Sequence, residues 1–253
     1  MIFLIIFAAG LIYFYENAYG MRLTSLIRWI PSWLRYPLTV LAFYPTILYG
    51  RVFAFLSNRR RLWDTVFPKI LCGVAPVLYS DVIQLHTKHE VRGIVNLCRE
   101  WDSQRPLYEK LGIAQCYAPT TDFECPSLQD TIRCVKFMRD IINNGGSCYV
   151  HCKAGRGRSV CVVLAYLVIY EKLSPLEADG VIRAQRAHIS KKWHLPLLTA
   201  VQKLAKGVDA GEGLEMVKAF SEQGEQPNLF YEGSQSFPET VNLRSASVMP
   251  LES

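Results

Sequence analysis

The sequence predicts an α/β fold in which a central sheet is flanked by helices. Short apolar runs of strand length alternate with stretches of helical periodicity through the middle of the chain. Two of those helical stretches open on a serine N-cap with an acid three residues on, and one strand feeds directly into a glycine-containing loop that opens a long apolar helix.

The 253 residues divide by charge into three parts. Residues 1–62 hold seven Arg, no Lys and one acid, Glu16, a net of +6. Residues 63–206 carry a further +6, and residues 207–253 carry −6, with only Lys218 and Arg244 against eight acids. Such asymmetry implies modules: a membrane-anchoring or targeting segment (1–62), a folded domain (63–206) and an acidic tail (207–253). The tail is rich in Gly, Ser, Glu and Gln without periodicity and reads as disordered.

At the amino terminus, residues 1–15 are uninterruptedly apolar, and a second apolar stretch, 37–56, is broken by Pro45 and Arg51. Neither is a clean membrane span, since fifteen helical residues cover about 22 Å of a hydrocarbon core roughly 30 Å thick. Arg22, Arg28, Arg35 and Arg59–Arg61 lie around these stretches among Trp29, Trp33, Tyr36 and Trp63, the mixture a membrane interface favours. Membrane attachment is the expectation, and a helix pair buried against the domain is its alternative. An Arg-rich, acid-poor amino terminus also suits mitochondrial import.

From Trp63 the pattern becomes globular. Residues 69–73, 91–97, 113–118 and 148–151 read as strands. Ser80 and Asp81 start a helical stretch between the first two. Ser127 caps the next helix, with Asp130 at the capping-box position, apolar residues at Leu128, Ile132, Val135, Met138 and Ile142, and an end at Asn143–Gly146. Residues 159–170 form a buried helix, too short to cross a bilayer. Ser174 and Glu177 form a second capping box with Pro175 at the first helical position, and a last amphipathic helix is expected over 195–206.

All eight cysteines lie in the middle part, with no CxxC spacing. That pattern argues against a zinc site or a disulfide framework and for buried, reduced thiols in a reducing compartment. No metal, cofactor or nucleic-acid partner is expected.

The chemistry concentrates in His151-Cys152-Lys153-Ala154-Gly155-Arg156-Gly157-Arg158-Ser159. A strand ending at His151 enters a tight loop whose backbone N–H groups converge on one point, and the N-terminus of the following helix adds positive potential there. Gly155 and Gly157 allow the turns and the close approach of an anion. The Cys152 thiol ionises easily in that field. Arg158 can hold two oxygens of a phosphoryl group in a bidentate fork. The spacing is wrong for a nucleotide P-loop, because no Gly-Lys-Ser/Thr follows.

These residues resemble the signature of the cysteine-dependent tyrosine and dual-specificity phosphatase superfamily: His-Cys, five residues, Arg, then Ser or Thr. The resemblance implies the cysteine-phosphatase fold, with a mixed central sheet. It also implies a mechanism in which thiolate Cys152 attacks phosphorus, Arg158 stabilises the transition state and Ser159 eases thiolate departure. An acid must protonate the leaving oxygen. Asp122, thirty residues upstream in Pro119-Thr120-Thr121-Asp122-Phe123, has the placement of that acid in compact dual-specificity members. Asp102 and Asp130 compete, although Asp130 is more simply a helix cap. His151 is expected to shape the loop through hydrogen bonds.

Over about 140 residues the chain looks like the mitochondrial PTPMT family, phosphatases of phosphatidylglycerophosphate on the route to cardiolipin. The segments that carry this are Ile70–Pro76, Val91–Leu97, Asp122 through Ser127, the loop cations Lys153 and Arg156, and Arg183, Arg186 and His188–Ser190. One departure is Cys98-Arg99-Glu100-Trp101-Asp102, where that family usually carries Asn-Glu-x-Tyr-Glu; the aromatic–acid pair is kept in kind and the first acid has become Arg99. The resemblance implies an anionic phospholipid substrate met at a membrane surface, with phosphoproteins or phosphoinositides as the alternative. It places the enzyme at the mitochondrial inner membrane facing the matrix, or else on the cytosolic face of another membrane. Lys153 and Arg156 suit a substrate with a second phosphate nearby. Cys72 or Cys148 could reach the nucleophile as a redox partner.

Overall fold

The computed structural model describes residues 31–57, 61–189 and 201. The segment 1–15, most of the expected helix 195–206 and the tail 207–253 lie outside them. Among the described residues two helices come first, α1 (Ser32–Leu41) and α2 (Phe43–Ser57). The domain then runs β1 (Trp63–Phe67), β2 (Ile70–Gly73), α3 (Tyr79–Lys88), β3 (Val91–Cys98), α4 (Arg105–Lys110), β4 (Ala114–Thr120), α5 (Leu128–Asn143), β5 (Ser147–His151), α6 (Arg158–Ile169) and α7 (Pro175–Gln185).

The five strands form one mixed sheet in the order β1-β2-β5-β3-β4. Only the β1–β2 pair is antiparallel; β2, β5, β3 and β4 run parallel. Parallel strands must be covered on both faces, which explains why β5 is buried at every position. Its alternation sorts two cores. Cys148 and Val150 face the larger one, with α5, α6 and α7, and Tyr149 faces a smaller one with Val82, Leu85 and Tyr108.

Two caps set where helices begin. Ser127 Oγ accepts from Asp130 N at 3.0 Å, and Ser174 exchanges side-chain and backbone bonds with Glu177, as their spacing requires. Helix α3 begins slightly earlier than expected, at Tyr79, because Asp81 Oδ2 reaches back to accept from Leu78 N at 3.1 Å.

Parallel strands present their carboxyl ends along one edge, and the register aligns Gly73 and Asn96 with His151 and Cys98 with Thr120. The segments after β2, β3, β4 and β5 therefore emerge side by side, where ligand sites form in open α/β sheets.

The second apolar stretch is a helix pair against the domain. Phe43 and Ile47 are buried in the larger core, and Arg51 makes a bidentate ion pair with Asp81 of α3, at 2.6 and 2.9 Å. The outer side exposes Trp33, Leu38, Leu41, Tyr44, Leu48 and Val52. Among the described residues no helix is long and apolar enough to cross a membrane.

Candidate active site

The segment between β5 and α6 wraps around the Cys152 side chain, which is 3 % exposed. Three successive loop carbonyls are taken from outside. Lys153 O accepts from Ala75 N at 3.4 Å, Ala154 O from Arg186 Nη2 at 3.3 Å and Gly155 O from Arg186 Nε at 2.7 Å. In a trans peptide the N–H points opposite to its C=O, so these bonds turn the following amides toward the inside of the loop. Arg186 is itself buried and neutralised by Asp64 of β1 at 2.6 Å. Gly155 sits at φ +62° with its Cα against the Gly73 backbone, where a Cβ would collide with the Gly73 carbonyl. Gly157 keeps a negative φ of −125° as the N-cap of α6, so the left-handed requirement falls on Gly155.

Burial opposes ionisation of Cys152, yet the Arg158 charge and the hydroxyl and amide of Ser159 outweigh it and hold the thiol below its ordinary pKa. Ser159 Oγ lies 3.4 Å from Cys152 Sγ and accepts from Cys72 Sγ at 3.5 Å. Burial pushes Cys72 up to about 11, so it stays a thiol and donates to the hydroxyl, leaving the hydroxyl proton for Cys152. Of the two cysteines expected near the nucleophile, Cys72 is the one the structure places beside Ser159. Cys148 sits within β5, raised by burial and by Cys116.

Arg158 is 1 % exposed and the best-connected side chain of the site. Its Nη1 and Nη2 grip both carboxylate oxygens of Glu100, at 2.9 and 2.8 Å, and the Glu100 side chain is wholly buried. Nη1 also donates to Leu97 O and to Thr120 O, at 3.3 and 2.7 Å. Nη2 donates to Asp122 Oδ1 at 2.9 Å. Nε is buried with no hydrogen-bond partner.

Asp122 follows β4 and bridges two cations, Arg158 and Lys153, whose Nζ is 2.6 Å from Oδ2. Burial alone would raise its pKa; Arg158 and then Lys153 more than offset this and hold it below the usual carboxylate value. The competing acids are engaged elsewhere. Asp102 pairs with Arg105 at the surface, and Asp130 bonds Ser127 and Arg133 at the start of α5. Asp122 is the carboxylate of the three that reaches Arg158.

Neither ring nitrogen of His151 has a hydrogen-bond partner of full geometry, and the ring is packed between Tyr149 and Trp101, each with its centroid 5.7 Å away. Burial pushes its pKa down to about 3, a backbone contact with Cys152 opposing and Arg158 adding, so it is neutral at pH 7. Of the two loop cations, Lys153 is committed to Asp122, while Arg156 is exposed with its Nε donating to His188 O at 3.0 Å.

Residues 78–202 match the family described as "Dual specificity phosphatase, catalytic domain". A rat protein, "Phosphatidylglycerophosphatase and protein-tyrosine phosphatase 1", is 33 % identical over 169 residues, covering 63 % of this chain and 86 % of its own length. An Arabidopsis thaliana protein, "Phosphatidylglycerophosphate phosphatase PTPMT1", is 35 % identical over 150 residues, 58 % of this chain and 44 % of its own, so the chain spans less than half of that relative. The crystal structure of PTPMT1 in complex with PI(5)P superposes with a TM-score of 0.55 at 28 % identity, covering 59 % of this chain and 99 % of that one.

Proposed function

Because the chain belongs to the dual-specificity phosphatase superfamily as a PTPMT-like member, we propose that it hydrolyses a phosphomonoester through a phosphocysteine at Cys152. The supporting observation is a fully buried thiol that Arg158 and Ser159 nonetheless hold toward its anion. Arg158 Nε is the buried donor left for a phosphoryl oxygen, and Nη2 supplies a second by giving up Asp122. Once a dianion occupies Arg158, the charges that depress Asp122 are neutralised and the carboxyl regains its proton. The Cys152 sulfur then attacks phosphorus as the ester P–O bond breaks, and Asp122 protonates the departing oxygen. In the second step Asp122 takes a proton from water, the water oxygen bonds to phosphorus, and the P–S bond breaks with the Ser159 hydroxyl stabilising the thiolate. Inward-turned amides of the loop 153–157 and the guanidinium hold the transferring group throughout.

The substrate we assign is phosphatidylglycerophosphate, dephosphorylated to phosphatidylglycerol, in keeping with the activity named for the rat and Arabidopsis relatives. The PI(5)P complex of PTPMT1 favours one second reading, a phosphoinositide. A bilayer-bound substrate fits the apolar outer side of α1 and α2 and the seven arginines of residues 1–62. The same Arg-rich amino terminus supports placement at the mitochondrial inner membrane, facing the matrix. Phosphate release from phosphatidylglycerophosphate, a phosphoinositide and a phosphotyrosine peptide, presented side by side, decides the substrate. Turnover of the peptide as fast as of either lipid would remove the lipid reading.

A further inference from the structure

We infer that the amino-terminal helix pair belongs to the catalytic unit, with Phe43 and Tyr36 as positioning residues that brace the segments carrying Glu100 and Asp122. This rests on the phosphatase chemistry above and adds to it a part of the chain whose composition points first to membrane attachment or targeting.

Two contacts from the pair end one residue away from a group that holds Arg158. Phe43, 1 % exposed, stacks on Trp101 with centroids 6.1 Å apart and planes 16° from parallel. Trp101 directly follows Glu100, its ring meets His151, and its carbonyl accepts from Asn96 Nδ2 at 3.1 Å. The Tyr36 ring lies 4.6 Å from the guanidinium carbon of Arg99, on the other side of Glu100. Arg99 Nη1 in turn donates to the Thr121 hydroxyl at 3.4 Å, and Thr121 precedes Asp122. The Arg51–Asp81 pair holds α2 in place further along.

Residues 101–104 have no regular secondary structure, and Ser103 sits at φ +83°. A segment of that kind is held by its side-chain packing rather than by ladder bonds. Glu100 fixes both terminal nitrogens of Arg158, so a shift of residues 99–101 moves the guanidinium. Displacements of about an ångström in a positioning group can cost on the order of a hundredfold in rate.

The test uses the full chain and a water-soluble aryl phosphate, so that no bilayer takes part, together with orthovanadate binding read as protection of Cys152 from iodoacetamide. Phe43→Leu keeps apolar bulk but removes the ring. Tyr36→Leu removes the cation–π partner at a site 37 % exposed. Each is expected to lower kcat about tenfold or more and to weaken vanadate protection by a similar factor. Tyr36→Phe keeps the ring and should behave as wild type, as should Leu48→Ala on the exposed side of α2. Rates and vanadate protection within about threefold of wild type for both leucine variants would overturn the inference. If the wild type turns over no phosphomonoester, the phosphatase reading falls instead, and the vanadate measurement still decides whether the helix pair positions the site.

Discussion

Substituting Glu100 by Gln leaves the shape of the side chain and removes one charge from the centre of the site. In the wild type its two oxygens accept from Arg158 at 2.8 and 2.9 Å, and neither side chain is more than 1 % exposed. Breaking a buried pair of this kind costs about 3–5 kcal/mol when the remaining charge is left uncompensated. Here Asp122 stays within 2.9 Å of Nη2 and the amide oxygen of Gln still accepts one bond, so the loss should fall below that range, about 2–3 kcal/mol. For a domain of this size each kcal/mol moves the melting temperature by roughly 2–4 °C, so a drop of about 5–10 °C is expected in phosphate-free buffer. The same change loosens the anchoring of the guanidinium, and kcat/KM on an aryl phosphate should fall between about tenfold and a hundredfold. Thermal melts and steady-state kinetics on the one preparation measure both. A variant that melts within about 2 °C of wild type and keeps kcat/KM within about threefold would show that Glu100 does not anchor Arg158.

Ser159→Ala removes the hydroxyl 3.4 Å from the nucleophilic sulfur, a bond to a charged group of the kind worth about 1.5–3 kcal/mol. The pH at which iodoacetamide alkylation of Cys152 reaches half its maximum should rise, and the phosphocysteine should accumulate because its breakdown slows more than its formation; an unmoved alkylation profile would refute the role. Asp122→Asn should slow an alkyl phosphate far more than an aryl phosphate, whose leaving group needs no proton, and equal slowing would remove Asp122 as the acid. The depressed folded-state pKa of Asp122 also gives a sign for stability. Its ion pairs contribute fully above the unfolded value of about 3.9 and are lost as pH falls through the lower folded value, so Asn at this position should flatten the acid side of the stability profile.

Much of the fold is legible because it rests on local chemistry. The caps at Ser127 and Ser174 and the strand–loop–helix passage from β5 to α6 are written in neighbouring residues, and the structure reproduces them. β1 is not legible as a strand: Trp-Asp-Thr-Val-Phe is a short, partly exposed edge whose identity comes from pairing with β2. Helix α4 has six residues, too few for a periodicity, and starts at an Arg-Pro step. In the site, Cys152, Arg158, Ser159 and Asp122 stand out because their types and spacing carry chemistry. Glu100 and the Asp64–Arg186 pair do not, since their partners lie 58 and 122 residues away and only the tertiary fold brings them together. The nearest sequence signal for Glu100 was its aromatic neighbour Trp101 directly after a strand. The packing of the helix pair 32–57 is not legible for a related reason: its apolar content is spread over an inner and an outer side, and composition alone does not separate the residues packed on the domain from those left outside.

The most direct measurement is to identify the atom that carries phosphorus during turnover. Ser159→Ala, quenched in acid during steady-state turnover of a phosphomonoester, should yield one covalently phosphorylated peptide, with a thiophosphate resonance by phosphorus NMR and the mass shift on Cys152. A phosphoryl group on any other side chain, or turnover with no covalent intermediate even when breakdown is slowed, would contradict the account.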